Sequence, residues 1–153
     1  MAKDAAVNED AHALAGVLSD GTHRLVQRVY YEDTDFSGFV YHARYLHFLE
    51  RGRTDFLRCL GVNQSALVAG DDALVFVVRH MDLHFRAPAR MDDLVEIETR
   101  LARIGGARMV LAQTIRRDGV LLIEATVEVA IVDGSGRPRR LPAALADRFE
   151  TID

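Results

Sequence analysis

Cysteine occurs once in 153 residues, at Cys59, so no disulfide can form within the chain, which suits a reducing compartment such as the cytoplasm. No apolar run approaches the ~20 residues that a bilayer-spanning helix needs. Positive charge is not in excess. Nineteen Lys and Arg stand against 23 Asp and Glu, for a net charge of −4, which removes the general electrostatic case for nucleic-acid binding. Residues 1–20 carry Asp4, Glu9 and Asp10 and lack a basic start followed by an apolar core, so they are not expected to be a secretory signal. Internal repeats, low-complexity blocks and an interdomain linker are also missing. What is present is the balance of a globular domain, 49% hydrophobic and 27% charged, in a length that supports one real core.

Residues 1–20 are expected to be a loose tail with a short helix over 10–18, followed by a single domain over 21–153. Residues 22–32 read as a strand, rich in β-branched and aromatic side chains. Over 42–60, Tyr45, Leu49, Gly52, Phe56 and Leu60 recur at three- and four-residue steps, which predicts a long helix buried on much of its surface. Arg51, Asp55 and Arg58 fall on its wetter side, where they can pair. Gly52 costs helix propensity, about 1 kcal/mol relative to Ala, so a close approach by a strand or a second subunit is expected there. Asn63 can cap a short helix over 64–68. Four strands follow, over 73–86, 93–103, 108–116 and 120–132. Turns are expected at Gly105-Gly106 and Asp118-Gly119, and Leu121, Ile123 and Val127 on the core face of the last strand. Pro142 opens a terminal helix to 149. The order is that of an α+β domain in which a five-stranded antiparallel sheet wraps a long central helix. Its unpaired edge strands suggest an edge-to-edge dimer.

The chemistry concentrates in Asp33-Thr34-Asp35-Phe36-Ser37-Gly38-Phe39-Val40-Tyr41-His42. A strand ends in two acids, a glycine breaks the chain, and the long helix begins. A helix N-terminus offers unpaired N–H groups and partial positive charge, which can hold a developing oxyanion. The acid beside it can attack a carbonyl or activate a water. Asp33 is assigned to capping the turn through backbone N–H groups.

The motif Arg28-Val29, Thr34-Asp35, Gly38-Phe39-Val40-Tyr41-His42, Tyr45-Leu46, Glu50 and Arg53 resembles the YbgC branch of the 4-hydroxybenzoyl-CoA thioesterase superfamily. Phe39 stands where an aliphatic residue is commoner in that family. The resemblance implies a hotdog fold over 22–133 and hydrolysis of acyl-CoA thioesters without metal or cofactor. It also implies homodimers or homotetramers with active sites at the subunit interface, and links to acyl carrier protein or the Tol–Pal envelope system. On the family pattern the catalytic carboxylate is Asp35, and the backbone N–H that polarises the thioester carbonyl is that of His42. Gly38, Phe39, Val40 and Tyr41 are the expected substrate-binding residues. An aryl-CoA thioesterase and a hotdog hydratase are rival enzymes; a non-catalytic acyl-CoA sensor or scaffold is the rival from another class.

Other residues have plainer readings. Ser37 lacks a nucleophile-elbow context, so a Ser37–His42–Asp35 triad is set aside. His80, Asp82 and His84 share one strand face and read as solvated rather than metal-binding. Tyr31 is assigned to the core, Cys59 to an inert buried thiol, and Arg137, Arg139 and Arg140 to a solubilising loop, with CoA phosphates as the alternative.

Overall fold

A computed structural model describes residues 16–64, 67 and 73–150. The elements are β1 (Val17–Ser19), β2 (Thr22–Arg28), a 3-10 turn (Tyr31–Asp33), α1 (Arg44–Cys59), β3 (Leu74–Phe85), β4 (Leu94–Gly105), β5 (Arg108–Arg117), β6 (Val120–Asp133) and α2 (Ala143–Glu150). The six strands form one antiparallel sheet in the order β1-β2-β4-β5-β6-β3. The sheet therefore has one strand more than the five expected. The extra strand, β1, occupies positions assigned to a loose tail and short helix; residues 1–15 of that tail lie outside the described residues. Asp20 and Gly21, both at positive φ, turn β1 into β2. The strand expected over 22–32 ends at Arg28, and its last residues form the 3-10 turn instead. The short helix expected over 64–68 falls mostly outside the described residues.

The sheet must curl to cover α1, and bulges help it do so. Register shifts fall between Val78 and His80 in β3, between Leu101 and Arg103 in β4, and where Ile115 and Arg116 face Ile123 and Leu121. Each extra residue bends its strand and increases the local twist. The last bulge corrects the expected alternation in β6: Leu122, fully buried, points into the core, while Leu121 is half-buried.

Two apolar clusters divide the length of α1. Tyr45, Phe48 and Leu49 pack with Val95, Ile97, Ile115 and Ile123. Phe56 and Leu57 pack with Met109, Leu111, Val127 and Phe149. Between them lies Gly52, where an added Cβ would meet Ile97 Cγ2 at 2.7 Å and Thr99 Oγ1 at 3.0 Å. The partner in the expected close approach is thus β4. A small polar knot crosses the same layer. Gln113 Nε2 donates to Leu49 O (3.0 Å) and Thr99 Oγ1 (2.9 Å), and Gln113 Oε1 accepts from Arg53 (3.2 Å).

Asp55 is not on the wet side of the helix. It is buried, 2.6 Å from His23 Nε2, and it accepts the Gly16 N–H at 2.7 Å, so it ties β1 and β2 to α1. No described helix is long and apolar enough to cross a membrane.

Candidate active site

Local backbone chemistry builds the loop between the 3-10 turn and α1. Asp33 is buried, and its carboxylate accepts the Tyr30 N–H at 2.8 Å and lies 3.2 Å from Arg44 Nε. Its carbonyl accepts the Tyr41 N–H at 2.8 Å. The acid therefore fastens the start of the loop to the start of the helix, the turn-capping role expected of it. Asp35 then opens a tight return. Its N–H donates to Phe39 O (3.1 Å), and its carbonyl accepts the Gly38 N–H (3.0 Å). Gly38 sits at φ +85°, a conformation that favours glycine.

The Asp35 side chain is exposed. Its Oδ1 accepts the Ser37 hydroxyl at 2.5 Å and the Ser37 N–H at 2.8 Å. These two bonds, the hydroxyl foremost, and the nearby His42 hold its carboxyl below the usual carboxylate value. Oδ2 has no hydrogen-bond partner among the described residues. Ser37 thus orients Asp35, rather than being activated by a histidine as a triad would require.

Tyr41 and His42 are both exposed, with their ring centroids 4.6 Å apart and their planes tilted by 58°. The Tyr41 carbonyl accepts the Arg44 N–H at 2.8 Å in the turn that leads into α1, and Leu46 donates to Ala43 O at 3.2 Å. The helix begins two residues later than His42, at Arg44 with Ala43 as its N-cap, and the His42 N–H makes no hydrogen bond among the described residues. Phe39 is half-buried beneath the Arg90 guanidinium, 4.5 Å from its ring centroid. Val40 is a core residue, 5% exposed, so its side chain is not open to a substrate. Its N–H donates to Ala89 O (2.9 Å), and the Ala89 N–H donates to Tyr45 Oη (2.9 Å). This buried Ala89 connection, with Arg90 and Tyr45, supports the loop. No local pattern in the sequence announces it, because Ala89 lies 44 residues from Tyr45.

Two assignments are reversed. Tyr31 is 80% exposed rather than in the core, because the 3-10 turn rotates it outward. Cys59 is exposed; partial burial and the neighbouring Asp55 push its thiol pKa up, which makes it a poor nucleophile. Among the described residues, His23, Asp55 and Cys59 are the cluster whose ligating atoms lie close together. His23 Nδ1 there is buried with no hydrogen-bond partner among the described residues. His23 Nε2 is engaged with Asp55 Oδ2 at 2.6 Å. His84 pairs with Asp82 at 3.1 Å on an exposed face, and Arg139 with Asp133 at 3.0 Å.

The profile of the thioesterase superfamily, 4HBT, matches residues 37–124. The acyl-CoA thioesterase YbgC of Haemophilus influenzae is 43% identical over 126 residues, 82% of this chain and 92% of the relative. The acyl-CoA thioester hydrolase YbgC of Escherichia coli is 45% identical over 125 residues, 80% and 92% of the two chains. A crystal structure of a probable thioesterase from Bartonella henselae superposes with a TM-score of 0.77 at 50% identity, covering 79% of this chain and 99% of the other. With this architecture and these matches, the chain belongs to the 4HBT thioesterase superfamily of hotdog fold, alongside the YbgC acyl-CoA thioesterases.

Proposed function

We propose that the chain hydrolyses acyl-CoA thioesters through Asp35, with the His42 N–H as oxyanion donor. One observation carries the reading. A single short loop presents a carboxylate kept ionised and oriented by Ser37, together with the His42 N–H two residues ahead of α1. In one route Asp35 attacks the thioester carbonyl. A C–O bond forms, the C–S bond breaks, CoA leaves as thiolate, and water then cleaves the mixed anhydride. In the other, Asp35 takes a proton from the water that attacks. In both, negative charge develops on the carbonyl oxygen, and the His42 N–H stabilises it. Gly38, Phe39 and Tyr41 border the acyl carbonyl, while Val40 contributes through its backbone.

The site is completed by a second copy of the chain in a dimer or tetramer. Phe36, beside Asp35, is 109% exposed among the described residues, and β3 is a twelve-residue edge strand. An acyl carrier protein is a second carrier for the same thioester. The Tol–Pal association and a cytoplasmic location follow from the family reading.

Free-thiol release from short, long and aromatic acyl-CoAs and from acyl carrier protein tests the proposal. Asp35→Asn is expected to lower kcat by about 10²–10⁴. Undiminished turnover in that variant overturns the mechanism. Binding without any thiol release, from every substrate, favours a scaffold.

A further inference from the structure

Phe39 closes the return that presents Asp35. Its carbonyl accepts the Asp35 N–H at 3.1 Å, and its own N–H donates to Ser37 Oγ at 3.2 Å. That hydroxyl in turn donates to Asp35 Oδ1 at 2.5 Å. Both the backbone and the carboxylate of Asp35 are therefore placed from Phe39. Yet Asp35, Phe36, Ser37 and Gly38 are all exposed, so these bonds compete with water and hold the return weakly by themselves. Phe39, half-buried, is where the return is fastened to the sheet.

The fastening is Arg90. The two residues face each other in an isolated antiparallel bridge, and the Arg90 guanidinium lies over the Phe39 ring, 4.5 Å from its centroid. Arg90 is itself held. Its N–H donates to Asp93 Oδ2 at 2.8 Å, the oxygen that Arg117 Nη1 reaches at 2.9 Å, and its carbonyl accepts the Asp93 N–H at 3.1 Å. Arg117 also donates to Pro88 O at 3.0 Å. The start of β4 and the end of β5 thus fix the backbone of Arg90, while its side chain stays exposed. Among the described residues no carboxylate pairs with that guanidinium, and it rests on the aromatic face. An aliphatic residue, the commoner one at this position in the YbgC branch, has no such face to offer.

We infer that Arg90 is a positioning residue for Asp35: its guanidinium clamps the Phe39 ring and so sets the return from which the carboxylate is aimed. The kinetic part of the inference rests on the hydrolase reading above; the structural part does not. Arg90 acts on the loop and not on the substrate. Loss of the clamp lowers the fraction of molecules in which Asp35 is aligned, which reduces kcat and leaves substrate binding alone. An exposed arginine that gripped a phosphate of CoA would do the reverse.

Two readouts test this. The first is thiol release from an acyl-CoA and from the N-acetylcysteamine thioester of the same acyl group, which carries no phosphate. Arg90→Gln, with its fold checked by its melting temperature, is expected to lower kcat about two- to fivefold on both, the worth of an exposed cation–π contact, with KM unchanged. Arg90→Lys, which keeps a cation for the ring, is expected to recover most of that loss. Phe39→Val is expected to cost at least as much, and the double variant Phe39→Val, Arg90→Gln no more than Phe39→Val alone. The second readout is amide hydrogen exchange by NMR, which needs no hydrolysis. The Asp35 and Gly38 N–H groups are expected to exchange about two- to fivefold faster in Arg90→Gln, while the Val40 N–H, bonded to Ala89 O, keeps its rate. Additive losses in the double variant overturn the inference, as do unchanged exchange rates or a rise in KM confined to the CoA thioester. Absence of thiol release from every thioester overturns the hydrolase alone, and exchange then decides the clamp.

Discussion

Ser37 gives two hydrogen bonds to a single oxygen of Asp35, and the acid–base behaviour of the site follows from them. Because Asp35 titrates below its ordinary value of 3.8, its ionised form persists to lower pH. The folded-state pKa is depressed, so its contribution to stability is present above 3.8 and is lost as pH falls through the lower, folded value. The acid limb of kcat/KM is therefore expected below pH 3.8. In Ser37→Ala, which keeps the backbone bond but loses the hydroxyl, the limb should move upward. A pH–rate profile of both proteins measures this, and superimposable limbs would separate Asp35 from the titrating group. Some of this scale was legible in the sequence. Asp33 reads as a turn acid because strand-end acids find backbone N–H groups nearby. Asp55 does not read correctly: its i, i+3 arginine suggests a surface pair, while the histidine that buries it comes from 32 residues away.

At the scale of elements, Gly52 is the position where helix propensity and packing oppose each other. Alanine would gain about 1 kcal/mol of propensity. Its Cβ would sit 2.7 Å from Ile97, and overpacking costs about 1–3 kcal/mol. The balance predicts that Gly52→Ala lowers the melting temperature, as calorimetry would read; a rise would mean that β4 yields easily. The long helix and the four later strands were readable because each carries a sustained period, 3.6 or 2, that a buried face imposes. β1 was missed although Asp20-Gly21 is the same turn dipeptide as Asp118-Gly119. Its strand is only three residues long, and the sequence Val-Leu-Ser has no apolar–polar alternation to announce it. The β6 bulge was hidden for a different reason. Val120-Leu121-Leu122-Ile123 is apolar throughout, so an inserted residue leaves no mark on the pattern.

For the whole molecule, the exposed β3 edge and the exposed aromatics around Asp35 suit a protein that works as more than one chain. Sedimentation is expected to give two or four times the mass of the chain, and dilution to monomer should abolish thiol release. Full activity of a monomer would remove the second copy from the proposal. Three of the five strand pairings are hairpins, whereas the other two, β2 with β4 and β3 with β6, rest on contacts far apart in sequence, which is why the sequence yields elements more readily than the sheet order. One such contact reaches further than its size suggests. Ala89 is held on both sides, its N–H by Tyr45 on the helix and its carbonyl by Val40 on the loop. The carboxylate and the helix start are thereby referred to a common datum. Displacement of that residue is therefore expected to move both together.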